Sequence, residues 1–300
     1  MKNQPGAMFR YSPWDAFPAL CGVGIVALMA WTFFWFSSIS WWVLAPAWLA
    51  IAFSYWWSLQ CISHNFIHNP FFSNPWLNRA FSLVQTLAIG VPQILYHHYH
   101  MNHHWGDSDM KGPDGSTKDW SSIYRHSKDD QPEPFWRYCF LSFFRVEVGP
   151  VIGTVIRHGR GQVVQMIVEA LVLVACWAFM LVWNWKVFVF YYLTSYYVGW
   201  TLSYAEGYLE HYRCQPGNPF ANSVSSYNAI YNFLCFNNGF HQEHHWDPKM
   251  HWTKMAALHE RIKPQLLANG TRMLRGPHLT TFLEEWFEEK RQQQQEKMAA

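Results

Sequence analysis

The sequence predicts an all-α membrane protein with four transmembrane helices in two hairpins and a helical cap on the cytosolic side. Hydrophobic residues make up 50% of the 300-residue chain and charged residues only 14%, against about 25% charged residues in soluble proteins. Four apolar stretches are long enough for a helix to cross about 30 Å of hydrocarbon. Of the 22 lysine and arginine residues, only Lys186 lies in a short connection between these stretches.

The first hairpin is predicted at residues 17–38 and 41–60. Both stretches are apolar and rich in tryptophan and phenylalanine, residues that suit the interior and the interfaces of a bilayer. The connection around Ile39 is so short that the second helix must turn back at once.

The second hairpin is predicted at residues 162–185 and 187–208, with Lys186 between the two helices. Basic residues accumulate on the cytosolic side of membrane proteins. We therefore expect both termini and the long segment between the hairpins to be cytosolic.

The segment 80–96 is shorter and less regular than the four spans. It has about 17 residues, the lower limit for crossing a bilayer, and it contains Gln85, Gly90 and Pro92. We interpret it as interfacial or re-entrant. The alternative, a fifth span, would move everything from His97 to Gly161 to the opposite face of the membrane.

The two ends of the chain carry no predicted chemistry. The first twenty residues contain scattered charges and prolines without the short apolar core of a signal peptide. The other end is charged and then rich in glutamine, and we expect a flexible tail over about residues 290–300.

Charge and cysteine content exclude several classes of protein. The net charge of +2 gives no reason to expect a nucleic-acid partner. The six cysteines form no C-x-x-C pair and no dense framework, so neither a zinc ribbon, an iron–sulfur site nor a disulfide scaffold is indicated.

The 16 histidines fall into clusters at the ends of the predicted spans. The stretches are "HNFIH" after the second span, "HHYHMNHH" after the interfacial segment, "YLEHYR" after the fourth span and "FHQEHH" further on. On a helix, residues three and four apart lie on one face, so these spacings aim several imidazoles together. The candidate metal ligands are His64, His68, His100, His103, His104, His211, His241, His244 and His245.

Nine imidazoles are too many for one metal ion and suit two. The predicted orientation brings all four stretches to the cytosolic face, where they can meet. Imidazole-rich sites suit iron, copper, zinc or nickel, and zinc is disfavoured because a structural zinc site closes with four ligands. The Glu-x-x-His motif of soluble di-iron bundles is absent from the chain.

Acidic residues beside the clusters are expected to orient the ligand imidazoles by accepting their second N–H. These residues are Asp107, Asp109, Glu210, Glu243 and Asp247. We interpret His97 and His98 as surface residues or as residues that support the ligands. The isolated His126, His158, His251, His259 and His278 are expected to be structural.

The set of histidine stretches resembles the three histidine boxes of the integral membrane fatty acid desaturase superfamily. The likeness covers nearly the whole chain, which we therefore expect to form a single domain over residues 1–300. The resemblance implies that the nine histidines bind two iron ions. It also implies an enzyme that uses O2 and two external electrons to remove hydrogens from a fatty acyl chain or a related lipid-like substrate.

The resemblance leaves the reaction and the partners open. A hydroxylase, a ketolase or an oxidative decarboxylase uses the same centre, and a histidine-lined metal transporter is the non-enzymatic alternative. The chain has no H-P-G-G motif of a fused haem domain, so the electrons are expected from a separate ferredoxin, rubredoxin or cytochrome b5 type carrier with its reductase. The bacterial inner membrane is favoured as the location, with the endoplasmic reticulum as the alternative.

Overall fold

The computed structural model describes residues 7–299, and side chains through residue 295. This part of the chain is mostly helical, with one short two-stranded parallel sheet. The helices are α1 (Ala16–Trp35), α2 (Trp41–Trp57), α3 (His64–His68), α4 (Pro75–Ile89), α5 (Gln93–Gly106), α6 (Phe135–Leu141), α7 (Val148–Arg157), α8 (Arg160–Val187), α9 (Leu193–His211), α10 (Ala229–Leu234), α11 (His241–Trp246), α12 (Met255–Ala268) and α13 (Thr281–Ala299), and the strands are β1 (Ser225–Ser226) and β2 (Met273–Leu274).

Within residues 7–299, three helical stretches are long and apolar enough to cross a membrane. They are Pro13–Ser38, Trp41–His68 and Arg160–His211, and the pair Phe135–Phe144 and Val148–Arg157, bent by 60°, would count as a fourth. Large apolar side chains on these stretches point outward, among them Trp42 and Val182, which are 91% and 87% exposed. Such a surface fits lipid better than water, and the coarser part of the prediction, a mostly helical chain with three or four helices long and apolar enough to span a membrane, is confirmed.

The longest stretch, Arg160–His211, is not one straight helix. Asn184 has non-helical backbone angles, and the rings of Trp177 and Tyr196 lie 5.7 Å apart. A straight helix would separate residues nineteen positions apart by about 28 Å, so the chain folds back at Asn184. The sequence prediction placed this turn at Lys186, two residues later.

The segment 80–96 is divided between two helices. α4 ends at Ile89 and is capped by Gly90, which has a left-handed φ of 70°, and Pro92 precedes the first residue of α5. A carboxylate from α8 joins the two helices: Glu169 accepts hydrogen bonds from Ser82 Oγ at 2.5 Å and from the backbone N–H of Ile94 at 2.8 Å. This carboxylate at the start of α5 fixes the helix that carries three of the candidate ligands.

A close approach of α2 and α9 brings two further histidine stretches together. A Cβ on Gly199 would lie 2.5 Å from the carbonyl oxygen of Ala52, so only glycine allows this contact. Gln60 donates to the carbonyl of Ser203 at 3.0 Å. The two helices run in the same direction, and His64 and His211 therefore emerge at the same end.

The C-terminal helix is longer than the sequence suggested. α13 continues to Ala299, through most of the tail that was predicted to be flexible, and Ala300 lies outside the described residues. The tail contains glutamine, glutamate, lysine and arginine without glycine or proline, and these residues favour helix.

Candidate metal centre

The nine predicted histidines come together in two adjacent groups. Ligand atoms of each group lie within 4.8 Å of one another. We call them the five-histidine group (His64, His68, His100, His104 and His244) and the four-histidine group (His103, His211, His241 and His245). The rings of His104 and His245 lie 4.5 Å apart, so the two groups share a border.

Local helix geometry places each imidazole. α3 is a single turn that continues α2 through the π-helical segment Ser58–Ser63, and it presents His64 and His68 on one face. α5 sends its i, i+4 pair, His100 and His104, to the five-histidine group and His103 to the other. α11 divides its histidines in the same way, with His244 in one group and His241 and His245 in the other.

The Nε2 atoms of the five-histidine group face one another at short range. His64 and His244 are 2.9 Å apart, His244 and His104 2.9 Å, His104 and His100 2.9 Å, and His100 and His68 3.0 Å. In the four-histidine group, His211 lies 3.0 Å from His103 and 3.4 Å from His241.

The outer ring nitrogens show that some of these Nε2 atoms carry lone pairs. His103 Nδ1 lies 2.7 Å from a carboxylate oxygen of Asp119, and His211 Nδ1 donates to the carbonyl of Asn222 at 2.9 Å. A neutral imidazole with its proton on Nδ1 has only a lone pair on Nε2. With both rings neutral, the lone pairs of His103 and His211 face each other at 3.0 Å and repel, and either a shared cation or a proton on His103 removes that repulsion.

The donor set fits a transition-metal ion by two further observations. Two nitrogens at about 2.1 Å from one ion and at right angles to each other are about 3.0 Å apart, which matches the separations within the five-histidine group. The Nε2 atom of His245 is buried without a hydrogen-bond partner among the described residues, while its Nδ1 contacts Asp107 at 2.7 Å.

Burial keeps most of these imidazoles neutral, as a metal ligand must be. Burial, followed by neighbouring histidines, holds the pKa of His100, His104, His241 and His244 well below its ordinary value. His103 differs: burial lowers its pKa, but the charge and hydrogen bond of Asp119 outweigh this and leave the pKa raised. His103 and Asp119 therefore behave as a hydrogen-bonded pair.

Comparison with known proteins agrees with this geometry. A family model described as fatty acid desaturase matches residues 39–277, well over half of the chain. The chain belongs to the fatty acid desaturase family. The chain is also 26% identical over 200 residues to a sphingolipid delta(4)-desaturase DES1-like protein of Arabidopsis thaliana, and 26% identical over 220 residues to a sphingolipid delta(4)-desaturase of Schizosaccharomyces pombe.

These alignments cover 66% and 69% of this desaturase-family chain. They cover only 57% and 58% of the two relatives, so the chain spans less than three fifths of their length. No solved structure matches.

The acidic residues predicted to orient the ligands divide into two sets. Asp107 contacts His245, and Glu210 Oε1 lies 3.4 Å from His241 Nδ1. Among the described residues, the other three form no hydrogen bond or ion pair with any of the nine histidines. Asp109 accepts backbone N–H groups of the loop, Glu243 binds His259, and Asp247 makes no side-chain hydrogen bond or ion pair among the described residues. Their position beside a cluster in sequence misled the prediction.

Several residues around this desaturase-family site escaped the sequence analysis. Asp119 contacts His103, and Asn238 lies between the groups, with its oxygen 2.7 Å from His64 Nδ1 and its N–H donating to Glu210 at 3.3 Å. His278, expected to be isolated, is fully buried beside Glu206 and Glu210. None of these three is part of a histidine box, so spacing gave no signal for them.

A large apolar cavity lies beside the centre, with a volume of about 700 Å³. It runs between α5, α7, α8 and α9, and its wall includes Tyr96 and Tyr99 of α5. His100 and His103 follow these tyrosines on the same helix. Phe144 and Val148, which are 70% and 46% exposed, also line the cavity, so its opening faces the surface where the bent helix pair breaks.

Proposed function

We propose that the protein is an O2-dependent di-iron desaturase that introduces a double bond into a fatty acyl chain or a related lipid-like substrate. The observation that carries this proposal is the convergence of nine imidazoles in two bordering groups, with Nε2 atoms facing one another at about 3 Å. Membership of the fatty acid desaturase family supports it.

In this proposal the five-histidine group holds one iron and the four-histidine group holds the other. Imidazole suits iron. Asp119, Asp107 and the carbonyl of Asn222 would fix the ring orientation of His103, His245 and His211 by accepting their Nδ1 protons.

The overall reaction converts a –CH2–CH2– unit, O2, two electrons and two protons into –CH=CH– and two molecules of water. Activation of O2 and removal of hydrogen from an unactivated carbon are the chemistry that a bound iron pair supplies. The chain's own residues bind the substrate and exclude water. The electrons would come from a separate ferredoxin, rubredoxin or cytochrome b5 type carrier.

The large cavity would hold the acyl chain. Its walls are almost entirely apolar or aromatic, which suits a hydrocarbon chain and excludes water from the site of reaction. Its position beside α5 would bring a methylene group near His100 and His103. A substrate drawn from the bilayer could enter at Phe144 and Val148.

The membrane arrangement is part of the same proposal. Helices α1 and α2 would form one transmembrane hairpin and α8 and α9 the other, with the histidine-bearing segments as a cytosolic cap over residues 1–300 of a single domain. The named relatives are plant and fungal proteins. This favours the endoplasmic reticulum over the bacterial inner membrane that the sequence alone favoured.

The test is expression in a lipid-producing host with a supplied electron carrier and reductase, followed by mass spectrometry of lipids and by iron analysis of the purified protein. We expect products two mass units lighter than their substrates and about two irons per chain. A product that gains an oxygen atom would make the enzyme a hydroxylase of the same family. Protein without iron and without any oxidised product would refute the proposal.

A further inference from the structure

The large cavity shares a wall with a second cavity inside the helical bundle. This small cavity has a volume of about 120 Å³ and lies between α1, α8 and α9. Three residues line both spaces: Trp177, Leu193 and Tyr196. The rings of Trp177 and Tyr196 meet edge to face at 5.7 Å, so this pair of side chains separates two apolar spaces.

The shared wall is the end of the large cavity that lies farthest from the histidines. Along α9, the lining residues extend from Tyr204 back to Leu193, and His211 ends the helix. With a rise of 1.5 Å per residue, Tyr196 lies about 22 Å from His211 along the helix axis and Tyr204 only about 10 Å. A bound acyl chain that has its reacting carbon at the metal centre and extends away from it along α9 therefore has its methyl end nearest Trp177 and Tyr196.

We propose that Trp177, packed against Tyr196, stops the methyl end of the acyl chain and sets the longest substrate that the enzyme accepts. This inference rests on the proposed function and deepens it. The ligand is an unbranched saturated acyl chain. Removal of the indole would join the small cavity to the large one and give the chain room for further methylene groups.

Trp177 is the better residue to change because its indole makes no hydrogen bond among the described residues, whereas the Tyr196 hydroxyl donates to the carbonyl of Gly90 at 3.1 Å. Truncation of Tyr196 would leave that carbonyl unpaired near the turn before α5. Trp177 is only partly buried. Trp177→Leu removes less volume than Trp177→Ala and serves as the second variant in case the larger cavity impairs folding.

The experiment measures turnover of saturated acyl lipids that differ by two carbons. Trp177→Ala and Trp177→Leu should raise the ratio of longer to shorter product by about tenfold, the effect of two further buried methylenes. Trp183→Ala, on the same helix but 65% exposed and outside both cavities, should keep the wild-type ratio. Ala30→Phe, which fills the small cavity from α1, should restore that ratio in Trp177→Ala.

A second measurement does not depend on turnover. Acyl chains that carry a photoactivated diazirine at the methyl end are bound to the wild-type protein, and the labelled residues are found by mass spectrometry. For the longest chain that the protein binds, label on Trp177, Leu193 or Tyr196 supports the stop even if no desaturation is detected. Label elsewhere, or active Trp177 variants with an unchanged chain-length ratio, would overturn it.

Discussion

Asp119 lies outside every histidine box in the sequence, yet its side chain contacts a histidine of one box. Its carboxylate is fully buried, lies 2.7 Å from His103 Nδ1 and also accepts the backbone N–H of Ser108 and the hydroxyl of Ser121. It stands sixteen residues after His103 in an irregular loop, where no periodic pattern applies. Eight of the nine histidines could be predicted from their spacing of three or four residues on helices, and His211 from its place after the fourth span, whereas Asp119 had neither signal.

We predict that Asp119→Asn weakens metal binding or activity by about 10- to 100-fold, the usual cost of losing the partner of a ligand histidine. The amide keeps the size of the carboxylate but loses the charge that raises the pKa of His103. Iron content and turnover of the purified protein measure the effect. Asp114→Asn is the control, because Asp114 is exposed and binds only Ser116, and an equal loss in that variant would contradict the role of Asp119.

His244 occupies a central place in the five-histidine group. Its Nε2 lies 2.9 Å from the Nε2 atoms of both His64 and His104, and these two histidines come from different helices. We expect His244→Ala to lose at least one iron per chain and all detectable turnover while the protein remains inserted in the membrane. His158→Ala, which changes an exposed histidine outside both groups, should retain both. Normal iron content in His244→Ala would remove His244 from the proposed ligands.

At the scale of the helix, the sequence predicted the spans better than it predicted how they join. Hydropathy identifies apolar stretches, but it does not detect the broken backbone at Asn184 or the division of 80–96 at Gly90. The division of histidines between two groups was also missed. Spacing describes one helix at a time, whereas the groups are formed by four separate segments of chain.

Gly90 lies in the turn between α4 and α5. Its substitution measures how strongly this turn constrains the position of α5. Gly90 has a φ of 70°, and a Cβ there would lie 2.5 Å from the ring of Tyr196. We predict that Gly90→Ala lowers the free energy of unfolding by about 1–2 kcal/mol from the left-handed backbone alone, with a further loss from the contact. The thermal midpoint in detergent measures this effect.

Gly24→Ala provides the comparison for that turn. Gly24 lies in α1, and a Cβ there would meet no atom within 4 Å. Alanine favours helix over glycine by about 1 kcal/mol, so the thermal midpoint should stay the same or rise. If Gly90→Ala behaved like Gly24→Ala, the turn would not constrain the position of α5.

At the scale of the whole molecule, the buried imidazoles link stability to pH. Four of them, His100, His104, His241 and His244, have a pKa well below the ordinary value because burial and then neighbouring histidines oppose the charged form. In the unfolded chain these groups take up protons below about pH 6.5. The unfolded state therefore binds more protons than the folded state at acidic pH, and stability must fall as the pH falls.

We predict that the thermal midpoint of the metal-free protein is highest above about pH 6.5 and decreases on acidification. The reason is that protons bind to the histidines of the unfolded chain and so stabilise it, whereas the buried histidines of the folded protein stay neutral. His103 acts in the opposite direction, since its raised pKa stabilises the fold at low pH and this contribution is lost as the pH rises. The four lowered groups outnumber it. Metal-loaded protein should also release iron in the same acidic range, since protons compete for the ligand nitrogens.

A pH series of thermal midpoints, with and without iron, measures both effects. His104→Asn removes one of the four titrating groups while keeping a side chain of similar polarity, so the acid slope of the metal-free protein should become shallower. His158→Asn, at an exposed position, should leave the slope unchanged. A midpoint that stays flat or rises between pH 7 and pH 5 would mean that the imidazoles are not held neutral in the folded protein, and the case for metal binding by the two groups would lose its electrostatic basis.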